Sequence, residues 1–267
     1  MKRVIVILAL CGLIGFLFLK GRGKEAKELH GAAMGCQWTL EWRGDAASPE
    51  VLRGEVAGML EKWEQVLSQW RSGSDLSRYN RGEPPTPELA RVMALADEVK
   101  ETTGGAFDHH LLEQVHAAGF GPEGKGVDLS SIGKGFAADR VGERLRALGV
   151  HDFVFAIAGE VVAGDGDWPV DIEKPELGGR TIAKTVTLRN RAIATSGNYR
   201  QFIPSDGGLK THIIDPKTGQ PVIRPPSSVT VIAPDCASAS SWATALFVLG
   251  PDFKGYPAGF EVSWQTP

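Results

Sequence analysis

The 267-residue sequence contains few cysteines and almost no imbalance of charge. Its three cysteines are Cys11, Cys36 and Cys236, and none stands in the CxxC spacing typical of metal sites. A disulfide between Cys36 and Cys236 stays open as an alternative, but two small buried thiols are the simpler expectation. The formal net charge of −3 offers no basic face to a nucleic acid, so the sequence gives no reason to expect such a partner.

Fixed-period repeats, low-complexity tracts and linkers rich in Gly, Pro or Ser are also absent from the sequence. The composition, 42% hydrophobic and 23% charged, is that of an ordinary globular protein. A chain of this length holds one large domain or two small ones. Because no linker divides it, we expect one domain over residues 26–267.

The first 25 residues differ from the rest of the chain. Lys2 and Arg3 precede an apolar run from Val4 to Leu19, and a second basic stretch follows the run. A short basic end followed by an apolar core is typical of an export signal. No small-x-small cleavage site follows Leu19 directly, so we expect residues 1–25 to be an uncleaved membrane anchor. Basic residues on both flanks leave its orientation open.

Helical periodicity is concentrated in the first half of the chain. Ser48 and Thr86 are each followed by proline, as is typical of an N-cap and the first helical position. Apolar residues then recur at helical spacing to about Leu67 and Val99. A third segment has the pattern of a helix that stops at Gly149. The sequence therefore predicts helices over about 49–67, 87–99 and 134–148.

Strand patterns dominate after Gly149, and one strand precedes the first helix. A last helix is predicted over 237–249. Because helices cluster early and strands late, without regular βαβ alternation, we predict a single layered domain of the α+β class. The predicted strands cover residues 34–42, 151–163, 168–173, 185–188, 192–196, 211–215, 227–233 and 260–264.

The segment Asp128–Asp139 contains a polar turn with two glycines that runs straight into the third helix. Free backbone N–H groups and Lys134 would meet at the N-terminus of that helix, an arrangement that suits an anion such as a diphosphate. The segment is neither a Walker A loop nor GxGxxG. A plain strand-to-helix turn, whose glycines only permit tight packing, stays open as the alternative.

Three further places carry residues of the types that bind ligands or transfer protons. His212 heads a short apolar strand, where it would accept a proton, bind a ligand or play a structural role. Ser240 and Thr244 share one helix face and offer hydroxyls to a hard cation, although hydroxyl–backbone bonding is the ordinary alternative. Asp108, His109 and His110 suggest a transition metal, but adjacent histidines tend to point apart and no other spacing supports zinc.

Taken together, these segments resemble the ApbE family of FAD:protein FMN transferases, over about residues 34–250. Each matching string is weak alone, but their shared order and spacing are specific. The strings are Met34-Gly35, Ser68–Arg71, Ser74–Asn80, Gly104–Asp108, Gly119–Gly121, Asp128–Asp139, Ala194–Tyr199, His212–Gly219 and Ala243–Gly250.

The resemblance implies a layered α/β domain of the T-fold-like type and an exported enzyme on the periplasmic side of the inner membrane. Such enzymes bind FAD with Mg²⁺, cleave its diphosphate and attach FMN, through its phosphate, to a threonine of a flavoprotein partner. A membrane redox complex is one candidate for that partner.

The resemblance also implies roles for individual residues. His212 would activate the acceptor hydroxyl. The metal would be held by Gly133, through its carbonyl, and by Ser240 and Thr244. The residues that would contact FAD or line its pocket are Met34, Trp70, Ala106, Phe107, Asp108, Ser130, Lys134 and Ile214.

One departure from the family pattern falls in the metal site itself. Ser240 stands where the family has a metal-binding aspartate, and a neutral hydroxyl offers less charge to a hard cation. Asp235 is the nearest upstream carboxylate. Smaller departures occur at Cys36, His109-His110 and Ala158. The sequence therefore leaves a second hypothesis open, a catalytically impaired FAD-binding protein that keeps the fold without the transfer step.

Overall fold

A computed structural model of the chain describes residues 26–266. The membrane anchor expected at residues 1–25 lies outside the described residues. Within residues 26–266, no helix combines the length and the apolar character needed to cross a bilayer.

The described residues form six helices and twelve strands. The helices are α1 (Pro49–Leu67), α2 (Asp75–Asn80), α3 (Pro87–Thr102), α4 (Leu112–Ala117), α5 (Ser130–Ala147) and α6 (Cys236–Leu249). The strands are β1 (Lys27–Ala33), β2 (Cys36–Trp42), β3 (Phe153–Ile157), β4 (Glu160–Ala163), β5 (Trp168–Glu173), β6 (Ile182–Leu188), β7 (Ala192–Gly197), β8 (Phe202–Ser205), β9 (Gly208–Asp215), β10 (Gln220–Arg224), β11 (Ser228–Ala233) and β12 (Glu261–Gln265).

The centre of the fold is a seven-stranded antiparallel sheet in the order β1-β2-β3-β4-β7-β11-β12. Helices α5 and α6 pack on one face of this sheet. The β5–β6 hairpin covers part of the other face, where its Trp168 packs in one cluster with Val154 and Val161. A separate three-stranded sheet, β10-β9-β8, carries His212 on its central strand. The mixed, layered α+β architecture predicted from the sequence is confirmed.

The capping prediction is also confirmed for the first two long helices. The hydroxyl of Ser48 accepts the N–H of Val51, and that of Thr86 accepts the N–H of Leu89. Each cap is followed by a proline, whose missing N–H costs nothing in the first turn.

Two predicted boundaries are wrong. Helix α5 begins at Ser130, about one turn before the predicted start. The apolar Leu129 and Ile132 are buried, and their burial stabilises a helix that includes the residues predicted as a polar turn. The single strand predicted over 151–163 is a hairpin, β3–β4, because Ala158 adopts a positive φ of 52° and reverses the chain. Cys36 and Cys236 are both buried thiols that are not joined by a disulfide, as the simpler expectation had it.

Several short elements were not predicted from the sequence. Helices α2 and α4 have only six residues each, too few to show a periodicity. Strand β8 is largely exposed, and the only apolar residues on the inner face of β1 are Leu29, Gly31 and Ala33, so neither sequence shows the hydrophobic alternation that marks a half-buried strand. Strand β10, half exposed, also went unpredicted.

Helices α5 and α6 approach each other at Gly135. A Cβ on Gly135 would lie 2.5 Å from the carbonyl oxygen of Cys236, closer than any real contact. One turn further along α5, the buried carboxylate of Asp139 accepts the N–H groups of Cys236 and Ala237 at 2.8 and 3.0 Å. A glycine and an aspartate of the 128–139 segment therefore dock the first turn of α6 onto α5.

We expect Gly135→Ala to destabilise the protein by about 1–3 kcal/mol, because the added methyl group meets rigid backbone and must push the two helices apart. The measurement is urea unfolding followed by circular dichroism. Gly54→Ala is the matched control: Gly54 is also helical, has open space at its Cβ position, and should gain roughly 0.5–1 kcal/mol. Equal stability of the Gly135→Ala variant and the native chain would contradict the proposed close approach.

Candidate functional site

Three of the segments singled out in the sequence meet at the start of α5. The carbonyl of His109 accepts the N–H of Asp128 at 2.8 Å, which joins the 104–110 loop to the 128–139 segment. The side-chain amide of Asn80 binds both the N–H and the carbonyl of Val127 at 2.8 Å. Gly126, with a φ of 108°, leaves room for that amide. The end of α2 thus fixes the approach to α5.

The backbone groups at the start of α5 are less open than the sequence suggested. The N–H of Ser130 donates to Asp128 Oδ1 at 2.7 Å, and the N–H groups of Ile132 and Gly133 donate to the carbonyl of Leu129. The N–H groups of Ser130, Ile132 and Gly133 therefore already have acceptors, so the expectation of free N–H groups at this helix start is wrong for these three residues. What this end of α5 offers an anion is the helix dipole and the charge of Lys134.

Lys134 on α5 and His212 on β9 are close enough to interact electrostatically. Burial and, to a smaller extent, the positive charge of Lys134 together lower the pKa of His212 to about 4. The ring of Phe120, in the loop after α4, meets the His212 ring edge-on with centroids 6.0 Å apart. Ile214, two residues along β9, is buried on the same side of the strand. At neutral pH His212 is therefore uncharged and able to accept a proton.

A group of oxygen atoms lies between the central sheet and helices α5 and α6. The hydroxyl of Ser240 donates to the carbonyl of Ser131 at 3.0 Å and to Glu160 Oε1 at 3.3 Å. One turn along α6, the Thr244 hydroxyl lies 3.3 Å from the Ser196 hydroxyl on β7. We call these five groups the oxygen cluster. Oxygen atoms, with a carboxylate among them, are the donors that Mg²⁺ prefers, so the cluster fits a magnesium ion.

Three members of the oxygen cluster, Ser131, Glu160 and Ser196, were not named as site residues from the sequence, and only Glu160 lies outside the segments singled out there. The available signal was an acidic residue inside the apolar stretch 151–163. The carbonyl that the structure brings to Ser240 belongs to Ser131, two residues before the expected Gly133. Thr244 also donates to the carbonyl of Ser240 at 3.3 Å, which is the ordinary hydroxyl–backbone bonding left open above.

Asp235 is not the replacement for the missing carboxylate. It is the N-cap of α6, and its two carboxylate oxygens accept the N–H and the hydroxyl of Ser238 at 2.8 and 2.9 Å. It therefore lies at the beginning of the helix, one turn before Ser240, and is used to hold that end.

The 104–110 loop is held in place by burial and by a salt bridge. Ala106 and Phe107 are buried in the main core. Asp108 forms a salt bridge with Lys100 at 2.7 Å and accepts the N–H of His110 at 2.9 Å.

The transition-metal alternative at this loop receives partial geometric support. The rings of His109 and His110 lie 4.1 Å apart, so the expectation that they point apart is wrong. Their ligand atoms and those of Asp108 lie within 4.8 Å of one another. Burial lowers the pKa of His109 to about 4, which leaves it neutral. However, Asp108 is already bound by Lys100 and His110, and we assign no metal here.

Met34 and Trp70 lie at the end of α1 that faces α5. The N–H of Met34 donates to Glu64 at 3.0 Å, and Glu64 forms a salt bridge with Arg71 at 2.9 Å. The side chain of Trp70 is 67% exposed, which is unusual for tryptophan and leaves a flat ring available for stacking.

The chain resembles known proteins in family pattern, sequence and structure. A model of the ApbE family matches residues 34–127 and 122–255. The FAD:protein FMN transferase of Klebsiella pneumoniae is 30% identical over 85% of this chain and 79% of its own length. The Vibrio cholerae enzyme of the same name is also 30% identical, over 91% of this chain and 88% of its own length.

Two solved structures also resemble the chain. The flavin transferase ApbE from Vibrio cholerae superposes with a TM-score of 0.74 at 28% identity, covering 85% of this chain and 89% of that one. The apo form of the Pseudomonas stutzeri flavinyl transferase ApbE superposes with a TM-score of 0.76 at 29% identity, covering 90% of this chain and 95% of that one.

We expect NMR titration to find the His212 pKa near 4, so that its ring stays neutral from pH 8 down to about pH 5. Lys134→Met should raise this pKa, because it removes a neighbouring positive charge, but burial should keep it below the ordinary value of about 6.5. His212→Asn assigns the resonance, and Lys217→Met, which removes an exposed lysine in the turn after β9, is the control. A native His212 that titrates near pH 6.5 would contradict this description.

Proposed function

The chain belongs to the ApbE family, and from that premise we propose that it transfers FMN from FAD to a threonine hydroxyl of a partner protein. The observation that carries the proposal is the neutral His212 beside the positive Lys134, at the start of a helix. Transfer of a phosphoryl group to a hydroxyl requires a proton acceptor and a positive environment for the phosphate oxygens, and these two residues supply both.

In the proposed reaction the threonine oxygen attacks the phosphorus on the FMN side of the FAD diphosphate. A new P–O bond to threonine forms, the P–O bond to the AMP phosphate breaks, and AMP leaves. His212 accepts the proton of the threonine hydroxyl. Its low pKa makes it a weak base in the free protein, and the negative diphosphate should raise that pKa when FAD is bound.

The chain's own residues would bind and orient FAD in this scheme. Lys134 and the N-terminal dipole of α5 attract the diphosphate, with Ser130 in the first turn of that helix. Trp70 offers an exposed ring for stacking on a flat ring of FAD, with Met34 at the same end of α1. Backbone groups of Ala106, Phe107 and Asp108 would contact the nucleotide, and Ile214 would line the pocket.

A magnesium ion is part of the proposal. The residues that would hold it are those of the oxygen cluster, with Ser240 and Thr244 on α6. When bound, the ion would neutralise charge on the diphosphate oxygens. Gly133, the carbonyl ligand expected from the resemblance, lies in the same turn of α5 as Ser131.

We also propose where the enzyme acts. The basic and apolar pattern of residues 1–25 supports export with retention at the inner membrane, with the domain facing the periplasm. The acceptor would then be an exported flavoprotein, such as a subunit of a membrane redox complex. The second candidate function, FAD binding without transfer, rests on one observation, the serine at position 240 in place of a metal-binding aspartate, and the relatives named as transferases do not favour it.

The decisive experiment mixes the purified full-length chain, in detergent, with FAD, Mg²⁺ and a candidate acceptor protein. Intact-mass analysis should show the acceptor gaining one FMN, and an acceptor in which the target threonine is valine should gain none. FAD binding without any mass gain, in the presence and absence of Mg²⁺, would favour the second candidate.

We expect His212→Ala to slow transfer by about 10²–10⁴-fold, the usual contribution of a positioned base. FAD binding, measured by quenching of flavin fluorescence, should change much less. His30→Ala, which alters an exposed histidine on β1 far along the sheet, should transfer at the native rate. A native rate in His212→Ala would show that another group accepts the proton.

A further inference from the structure

Glu160 is a buried carboxylate that faces the oxygen cluster. Its side chain lies at the start of β4, and the residue is 9% exposed. Oε1 accepts the hydroxyl of Ser240 at 3.3 Å, and Oε2 accepts the N–H of Gly159 at 3.1 Å. Both donors are neutral, so the hydrogen bonds satisfy the oxygen atoms without balancing their charge.

The position of Glu160 follows from the β3–β4 turn. Alternation along β4 sends Val161 to the β5–β6 hairpin, and Glu160 and Val162 to the helices. Glu160 pairs with Ala194 of β7, two residues before Ser196 on the same face. Glu160 and Ser196 are therefore diagonal neighbours on one face of the sheet, and this face lies opposite the residues Ser240 and Thr244 of α6.

A buried carboxylate is costly unless a positive charge accompanies it. The groups that share the space with Glu160 are two α6 hydroxyls, the Ser196 hydroxyl and the Ser131 carbonyl. All of them present oxygen lone pairs, as a hard divalent cation requires. The arrangement is what a small oxygen-coordinated cation needs: one charged ligand and several neutral ones.

We propose that Glu160 supplies the carboxylate ligand of the magnesium site in this chain, in place of the aspartate that Ser240 replaces. This inference rests on the magnesium dependence in the proposed function. It also explains why position 240 carries a serine and not an aspartate. An aspartate at position 240 would bring a second carboxylate close to Glu160, where the Ser240 hydroxyl now lies 3.3 Å away, and like charges at that distance repel. The charged ligand of the proposed site therefore lies on β4 in this chain, whereas the family pattern places it on α6.

The test measures metal binding directly, by isothermal titration calorimetry with Mg²⁺ and by electron paramagnetic resonance with Mn²⁺, on the full chain with FAD present. Glu160→Gln keeps the shape of the side chain and removes its charge, so affinity should fall at least about tenfold. Glu143→Gln, an exposed carboxylate on α5, should bind like the native chain. Glu160→Gln combined with Ser240→Asp should recover native affinity to within about threefold.

Ser240→Asp alone gives an independent test that does not disturb Glu160. With both carboxylates present, Mg²⁺ should bind more tightly than in the native chain, and the melting temperature in EDTA should fall because the two charges repel. Circular dichroism of each variant in EDTA reports whether it is folded. If Glu160→Gln is unfolded, Ser240→Asp alone decides the matter.

Native Mg²⁺ affinity in a folded Glu160→Gln variant would overturn the inference, as would a Ser240→Asp variant that binds Mg²⁺ no more tightly than the native chain. These results are separable from failure of the proposed function. Metal binding that depends on Glu160, without FMN transfer to any acceptor, would contradict the proposed function and support Glu160 as a metal ligand. FMN transfer by a chain whose Mg²⁺ affinity does not depend on Glu160 would support the proposed function and contradict that assignment.

Discussion

The candidate site depends on the docking of α6 against α5. Gly135 allows the two backbones to touch, and Asp139 binds the first two N–H groups of α6. Ser131 lies one turn before Gly135, and Ser240 lies one turn after Cys236. The same contact therefore sets the 3.0 Å bond between the Ser240 hydroxyl and the Ser131 carbonyl. A shift of this helix pair would move the hydroxyls of α6 away from the sheet.

Two buried carboxylates in this layer have different tasks. Burial raises the pKa of Asp139 to about 7, while the two α6 N–H groups that it accepts oppose the rise. Glu160 receives one N–H and one hydroxyl, and its neighbours are the other oxygens of the cluster. Asp139 is used for structure, whereas Glu160 faces the oxygen cluster. His212 lies on a separate sheet and is kept neutral by burial and by Lys134, so it adds a proton acceptor to these oxygen groups.

Local signals in the sequence predicted much of the fold. Ser48 and Thr86 cap their helices as expected, because a cap is decided by a few adjacent residues. The start of α5 was misplaced because serines and glycines resemble a turn, and the buried contacts of Leu129 and Ile132 override that preference. Glu160 was missed because an unbroken strand over 151–163 would place it on the face of Val154. The turn at Ala158 reverses that parity.

The family resemblance, the capped helices and the chemical types of the site follow from sequence patterns alone: a histidine, a lysine, hydroxyls and a serine in place of one aspartate. Which of these groups meet depends on the tertiary fold. Glu160 and Ser240 are 80 residues apart in the chain, and Lys134 and His212 belong to different layers. Their proximity depends on strand register and helix docking, which are set by packing across the whole core and leave no mark on neighbouring residues.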